Sequence, residues 1–305
     1  MRPMLATKGD QVPLGPDWTH EVKWDGMRIL AECGASQTRL RSRNDNDVTP
    51  AWPDVTSAAL QGRDAVVDGE IIALNEHGLP DFRTLQERMH VRARASVDRL
   101  VHRVPATFMA FDLLRLDGTD LTARPLAVRR ELLVEALATS SWQVPASYDD
   151  GRMLHEATLA QGLEGIVSKR LDSRYRVGER SAHWLKFAHR HRGSYVVGGW
   201  RPQEGTTDRL AALLVGEVTS DGLFYRGRVG SGIGAKHGRA LAEAVAGIAR
   251  ATSPFDDEVP RVDAAGSRWV EPVLVVDVDT HGRGHTRLRQ PSYQGLRLDL
   301  AADEL

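Results

Sequence analysis

The sequence predicts an α+β chain in two domains: antiparallel sheets with interleaved helices over residues 1–189, then a small β-barrel over 190–305. Three observations predict it. Strand-period alternation fills the first third, helical-period segments fall between the later strands, and a run of short strands begins after the charged HRHRG at 189–193.

Residues 19–24, 27–33 and 37–43 alternate and are separated by Asp25-Gly26 and Gly34-Ala35, which predicts an antiparallel meander. Residues 64–74 and 107–116 are richer in apolar residues and predict interior strands. Helices are expected at 82–89 and at 125–138, the second opening on Pro125. In the second domain, strands are expected at 194–200, 210–218, 222–229, 268–278 and 284–290, with one amphipathic helix over 236–249 that lines up Leu241, Val245 and Ile248. About five strands and one helix in this length is the pattern of a Greek-key barrel such as an OB-fold.

Forty lysines and arginines against forty-one acidic residues leave a formal charge of -1, which argues against coating a polyanion or membrane by bulk charge. Any polyanion contact must come from local clusters. A single cysteine, Cys33, excludes internal disulfides and multi-cysteine metal sites. No segment approaches the roughly 18 apolar residues of a membrane span, and the first residues hold no apolar signal region, so a soluble, unprocessed, cytoplasmic protein is expected, a monomer with no membrane partner.

Within EVKWDGMR, a strand would set Glu21, Lys23 and Asp25 on one face. Lys-x-Asp-Gly alone arises by chance in about one chain in ten of this length at average residue usage. It gains weight from its company: RLRSRN at 39–44, VDGEI at 67–71, FMAFD at 108–112, EGIVSKR at 164–170 and SAHWLKF at 181–187 follow in order. This series resembles the covalent nucleotidyltransferase superfamily of ATP-dependent DNA ligases, RNA ligases and mRNA capping enzymes. PMLA at 3–6, the SRN of 42–44, Phe82 with Leu85, Gln86 and Arg88, and VVGGWR at 196–201 resemble the ligase domain of bacterial ligase D, which serves non-homologous end joining.

The resemblance implies a nucleotidyltransferase (adenylation) domain followed by an OB-fold, with DNA clasped between them. Lys23 would be the nucleophile that attacks the α-phosphorus of ATP, and such an amine must be neutral, a form that neighbouring Arg28, Arg43, Lys169 and Lys186 would favour. Glu70 would accept from the ribose hydroxyls, Phe111 would stack on adenine, and Glu21 would accept from the adenine exocyclic amine. Glu164, with Asp25 or Glu70, would hold Mg²⁺ or Mn²⁺. Lys169 and Lys186 would stabilise charge on the α-phosphate, and Arg297 and Asp299 belong to the C-terminal motif that orients the leaving pyrophosphate.

Two departures follow. The family's paired lysines in the fifth motif read Lys186 and Ala188 here, and the final lysine of Arg-x-Asp-Lys is Leu300. Self-adenylation is the step these losses affect. Residues 169–192 carry Lys169, Arg170, Arg174, Arg176, Arg180, Lys186, Arg190 and Arg192 against Asp172 and Glu179, a balance of +6, and residues 83–103 carry six arginines against two acids. Beside a phosphate-handling core, both segments are expected to touch duplex backbone.

The expected function is a stand-alone ATP-dependent DNA ligase in repair. A Ku-type end-binding protein and separate polymerase and nuclease are the partners that the resemblance implies. The alternatives are an RNA ligase or capping-type enzyme, and an impaired homologue that binds DNA ends.

Overall fold

In the computed structural model, which describes residues 1–57, 60, 62–206, 209–281 and 286–305, the expected meander is divided between two sheets. The strands of the first unit are β1 (Leu5–Lys8), β2 (Trp18–Val22), β3 (Met27–Cys33), β4 (Thr38–Ser42), β5 (Ala65–Ile72), β6 (Thr107–Leu116), β7 (Thr119–Asp120), β8 (Gly165–Arg170) and β9 (Arg180–Ala188). Its helices are α1 (Pro53–Ser57), α2 (Phe82–Met89), α3 (Arg94–Arg103), α4 (Leu126–Ala136) and α5 (Gly151–Ala160).

One sheet runs β4-β3-β5-β6-β7 and the other β1-β9-β8-β2. The second strand of the expected meander, β3, pairs with β4 and β5, whereas the first, β2, pairs with β8. The reason lies in burial. Ile29 and Ala31 of β3 pack into the main core with Val67 and Phe108, while Leu30 turns to the opposite side with Met4 and Phe111. A strand buried on both faces belongs inside a sheet, so β3 takes two neighbours and leaves no edge for β2. In β5, only Glu70 escapes full burial. The second sheet departs from an all-antiparallel arrangement, because β1 runs parallel to β9.

Helix α2 begins where expected, with the Asp81 carboxylate accepting from the Arg83 N–H as an N-cap. Pro125 stands at the N-cap of α4, just outside the first turn. The core beneath α2 is closed by Trp142, whose ring meets Phe108 edge-on at 4.6 Å and whose Nε1 donates to the Val55 carbonyl at 2.9 Å.

Contacts divide the chain into Met1–Ala188 and His189–Leu305. The second unit holds β10 (His191–Pro202), β11 (Leu210–Thr219), β12 (Gly222–Val229), α6 (Ala235–Ala246), β13 (Ala249–Arg250), α7 (Arg261–Ala264), β14 (Arg268–Thr280) and β15 (Ser292–Arg297). The sheet order is β12-β11-β10-β14-β13, with β15 also on β14. A bridge from Ser231, just past β12, to Ser292 of β15 joins the far ends and curls the sheet toward a barrel. Leu241 and Val245 of α6 are buried against it.

The last expected strand, 284–290, is corrected. Its first two positions lie outside the described residues, 286–290 form no strand, and the pairing is made by β15 instead. Tyr293 and Leu296 in β15 supply the apolar contacts that 286–290 largely lack. Among the described residues, no helix is long and apolar enough to cross a membrane.

Candidate functional site

Strand β2 stops at Val22. The Lys23 N–H then donates to the Gly165 carbonyl at 2.8 Å, and the chain crosses to the other sheet, where β3 starts at Met27. Residues 23–26 are therefore a link between sheets. The expectation of one strand face for Glu21, Lys23 and Asp25 is corrected: Glu21 is buried in the sheet, and Lys23 and Asp25 lie beyond its end.

Glu21 is held from two sides. Arg130 of α4 donates to Oε1 and Lys169 of β8 to Oε2, each at 2.7 Å. The Lys169 Nζ also sits 4.4 Å from the Phe111 ring centre and 4.6 Å from that of Trp184. Lys169 was expected at the α-phosphate, and its ammonium instead lies buried beside Glu21 and these rings. Register explains this: Lys169 pairs with Thr19 and Trp184, deep in the sheet, where a buried ammonium requires a carboxylate. Burial pushes its pKa down, opposed by Glu21.

Lys23 forms an ion pair with Glu164, and both side chains are part-buried, at 24% and 16% exposure. Glu164 precedes Gly165, whose φ of 135° and whose Cβ position, 2.1 Å from the Phe187 carbonyl oxygen, exclude any side chain there. That close approach of β8 to β9 sets Glu164 against Lys23. Glu70 completes the acidic side: burial pushes its pKa up to about 8, with Glu164 and Asp68 adding and with Arg28 and Lys23 opposing. The Asp25 carboxylate accepts from the Phe82 N–H at 3.3 Å, which ties the Lys-x-Asp-Gly link to the start of α2.

Lys186 lies opposite Val167, and Ala188 opposite Gly165, on one sheet face. Burial lowers the Lys186 pKa, with Lys23, Arg180 and Arg43 adding to the effect and Glu164 opposing it. Arg43 is exposed in the turn after β4. Arg28 is committed to buried Asp68 through two bonds of 2.5 and 2.7 Å, and its guanidinium stands 4.6 Å from the Phe111 ring centre. Asp68 also accepts from the Tyr175 hydroxyl at 2.5 Å, and that oxygen accepts from the Met4 N–H at 2.9 Å. The PMLA segment is thereby anchored beneath the ring.

The arginines divide by partner. Arg170 pairs with Asp172 at 2.8 Å, Arg176 with Glu179 at 3.7 Å, and Arg180 donates to the Ala6 carbonyl, while Arg174 is exposed. In the second unit, Arg192 pairs with Asp279 at 2.8 Å, Arg190 is exposed, and Arg297 forms two 2.8 Å bonds to Asp299. Within 83–103, Arg88 is corrected from a surface contact to a core residue: fully buried, it binds Asp54 and the Ala51 and Val104 carbonyls over the Trp52 ring.

Sequence reasoning missed Arg130, Asp68, Tyr175 and the buried pair Arg129–Asp112, whose two bonds are 2.7 Å. The available signal was two adjacent arginines in the helix LAVRRELLVEA, at least one of which must turn inward among the leucines, where a buried charge requires a partner. Among the described residues, no three His, Cys, Asp or Glu side chains converge as a metal cage. Glu70 and Glu164, which interact electrostatically, are the carboxylates that could hold an ion retaining most of its waters.

Lys23 is thus held at the seam of two sheets, paired with Glu164 and within electrostatic reach of Glu70 and Lys186. Residues 3–187 match the ATP dependent DNA ligase domain family, and residues 206–300 match the ATP dependent DNA ligase C terminal region. The chain belongs to the ATP-dependent DNA ligase family. It is 37% identical over 311 residues to the multifunctional non-homologous end joining DNA repair protein LigD of Mycobacterium tuberculosis, covering all of this chain and 39% of that one. DNA ligase C of the same organism is 34% identical, over 84% of this chain and 72% of its own. Among solved structures, mycobacterial DNA ligase D complexed with ATP and MES matches with a TM-score of 0.59 at 36% identity, over 100% of this chain and 97% of that one.

Proposed function

We propose that this chain seals 5′-phosphate/3′-hydroxyl breaks in DNA, working from ATP through a lysyl-AMP intermediate. The observation that carries the reading is the placement of Lys23, in contact with Glu164 and within electrostatic reach of Glu70, where the chain passes between two sheets. In the first step, the Lys23 Nζ lone pair bonds to the α-phosphorus, the bond from that phosphorus to the bridging oxygen breaks, pyrophosphate leaves, and the amine loses its proton. AMP then passes to a DNA 5′-phosphate, and attack by the 3′-hydroxyl releases it.

The other roles follow from position. Phe111, stiffened by Arg28 and Lys169, offers a ring to the base, and Glu21, fixed by Arg130 and Lys169, keeps acceptor capacity for an exocyclic amine. Guanine carries an oxygen at that place and would be repelled. Glu70 faces the ribose. Lys186 and Arg43 remain for phosphate oxygens, and Lys169 acts indirectly through Glu21 and the ring. Glu164, with Glu70 or Asp25, would hold Mg²⁺ or Mn²⁺, which supplies charge neutralisation at the phosphates when bound. Arg174 and Arg190 are the best placed of the basic residues for duplex phosphates, since each is exposed and pairs with no carboxylate among the described residues; Arg297 and Asp299 would act on the leaving group only after their mutual pairing opens.

End joining is proposed from the description of LigD, of which this chain covers 39%, and a Ku-type partner, separate processing enzymes, a monomeric state and a cytoplasmic setting are proposed beside it. Incubation with α-labelled ATP tests the central claim: the wild type takes up covalent label and Lys23→Ala takes up none. Equal labelling of the two, or none on either, overturns it.

A further inference from the structure

We infer that Lys8 is an additional nucleotide-binding residue, gripping the outer phosphates that depart as pyrophosphate. The inference rests on the ligase reading above. In the parallel pairing of β1 with β9, Lys8 is the direct partner of Lys186. Residues paired across neighbouring strands project to the same face, so Lys8 extends the row that runs from Glu21 through Val167 and Lys186. The register of β1 on β9 shifts between Ala6 and Thr7, so that Thr7 and Lys8 pair with Leu185 and Lys186, and Ala6, before the shift, packs against the group that holds Phe111 and Trp184.

The position is fixed locally. Directly after Lys8, the Gly9 N–H donates to the Lys186 carbonyl at 3.1 Å. A Cβ on Gly9 would fall 2.3 Å from the Phe187 ring, so the chain can pass over that ring only as glycine. Lys8 is therefore held one strand spacing, about 4.8 Å, from Lys186, on the side away from Lys23.

Its charge is unanswered. Lys8 is exposed, and it makes no ion pair or side-chain hydrogen bond among the described residues. Like charges directly opposite one another on a sheet repel. Lys186 already faces Lys23, Arg180 and Arg43 with Glu164 as the opposing acid, so a second lysine beside it deepens an uncompensated positive patch. A triphosphate resolves it: its α-phosphate lies at Lys23 and Lys186, and its outer phosphates extend along the row to Lys8. The sequence has alanine at 188 and leucine at 300, and Lys8 restores cationic charge from a different strand.

The experiment separates the first step from the last. Without DNA, adenylation by α-labelled ATP is followed against ATP concentration for wild type, Lys8→Ala and Lys8→Arg; sealing of pre-adenylated nicked DNA is followed in parallel. Loss of one charge-assisted contact should raise the ATP needed for half-maximal adenylation about tenfold in Lys8→Ala. Pyrophosphate should also discharge the adenylate of this variant less readily, Lys8→Arg should retain most of the wild-type behaviour, and sealing of the pre-adenylated nick should be unchanged. Unchanged adenylation in Lys8→Ala overturns the inference while leaving the ligase reading intact. A parallel fall in pre-adenylated sealing overturns it too, since that marks a DNA contact or a folding defect. No label on the wild type overturns the ligase reading itself.

Discussion

Two sets of charged residues lie in the first unit, and they differ in how completely they are paired. Below the Phe111 ring, Asp68, Asp112 and Glu21 are buried and each is matched by cations at short distance: Arg28, Arg129, and Arg130 with Lys169. Around Lys23 the balance differs: Lys186 is acted on by Lys23, Arg180 and Arg43 with Glu164 as the opposing acid, and Lys8 stands opposite it on the next strand. A saturated network holds a fold, because removing either partner strands a charge in a poor solvent. Uncompensated positive charge beside a carboxylate instead attracts an anionic ligand, which accords with the nucleotide site proposed above.

The largest effect should come from breaking the saturated set. Arg129 and Asp112 have no exposed side-chain surface, so Arg129→Met should cost about 3–5 kcal/mol of stability by leaving a buried carboxyl unpaired. Asp112 is already the strained partner: burial pushes its pKa up, and the Arg129 contact opposes that rise. The urea midpoint measures the loss, and the double variant with Asp112→Leu should regain much of it. A loss under about 1 kcal/mol would mean that the two networks do not differ as argued.

A smaller effect, on pH dependence, should appear at Glu70. Its folded pKa of about 8 lies above the ordinary value of 4.5, so between these limits the folded state binds more protons than the unfolded one. Stability contributed by the protonated carboxyl is present at pH 5 and is lost as pH rises through 8. Glu70→Gln should remove that decline and leave the variant the more stable protein at pH 8, by on the order of 1 kcal/mol once partial exposure is allowed for. Urea unfolding at pH 5 and pH 8 reads the slope directly. Identical slopes in wild type and variant would place the burden on another group.

The strands at 27–33 and 107–116 and the helix at 82–89 were legible because one face or both carry an uninterrupted period of apolar residues. The destination of β2 was not, since Asp25-Gly26 is as good a hairpin signal as any and only the partner at 165–170, far away in the sequence, overrides it. The same distance hid the division of the lysines. Lys23, Lys169 and Lys186 look alike in sequence, yet cross-strand register sends one to a carboxylate at the seam, one beneath an aromatic ring, and one to an open face. Lys8 carries no signal in the sequence, because standing opposite Lys186 is a relation that a local motif does not encode.

The smallest effect should come from adding a charge to the open set. Ala188 shares the face of Lys186 and sits opposite Gly165, next to the Glu164 that contacts Lys23. A lysine at 188 would reach the same phosphates from the near side that Lys8 reaches from the far side. Ala188→Lys should therefore quicken adenylation at limiting ATP by about threefold, the worth of one partly exposed charge pair. It should also lower the stability of the ligand-free protein slightly, because a further cation joins a patch that already repels itself. The two changes must come together: faster adenylation with no loss of stability would mean that the face is not short of negative charge, and loss of stability alone would mean that position 188 does not reach the nucleotide. Combining the substitution with Lys8→Ala sharpens the point. If both lysines serve one triphosphate, Ala188→Lys should restore part of what Lys8→Ala removes, whereas two independent sites would leave the Lys8→Ala defect at full size.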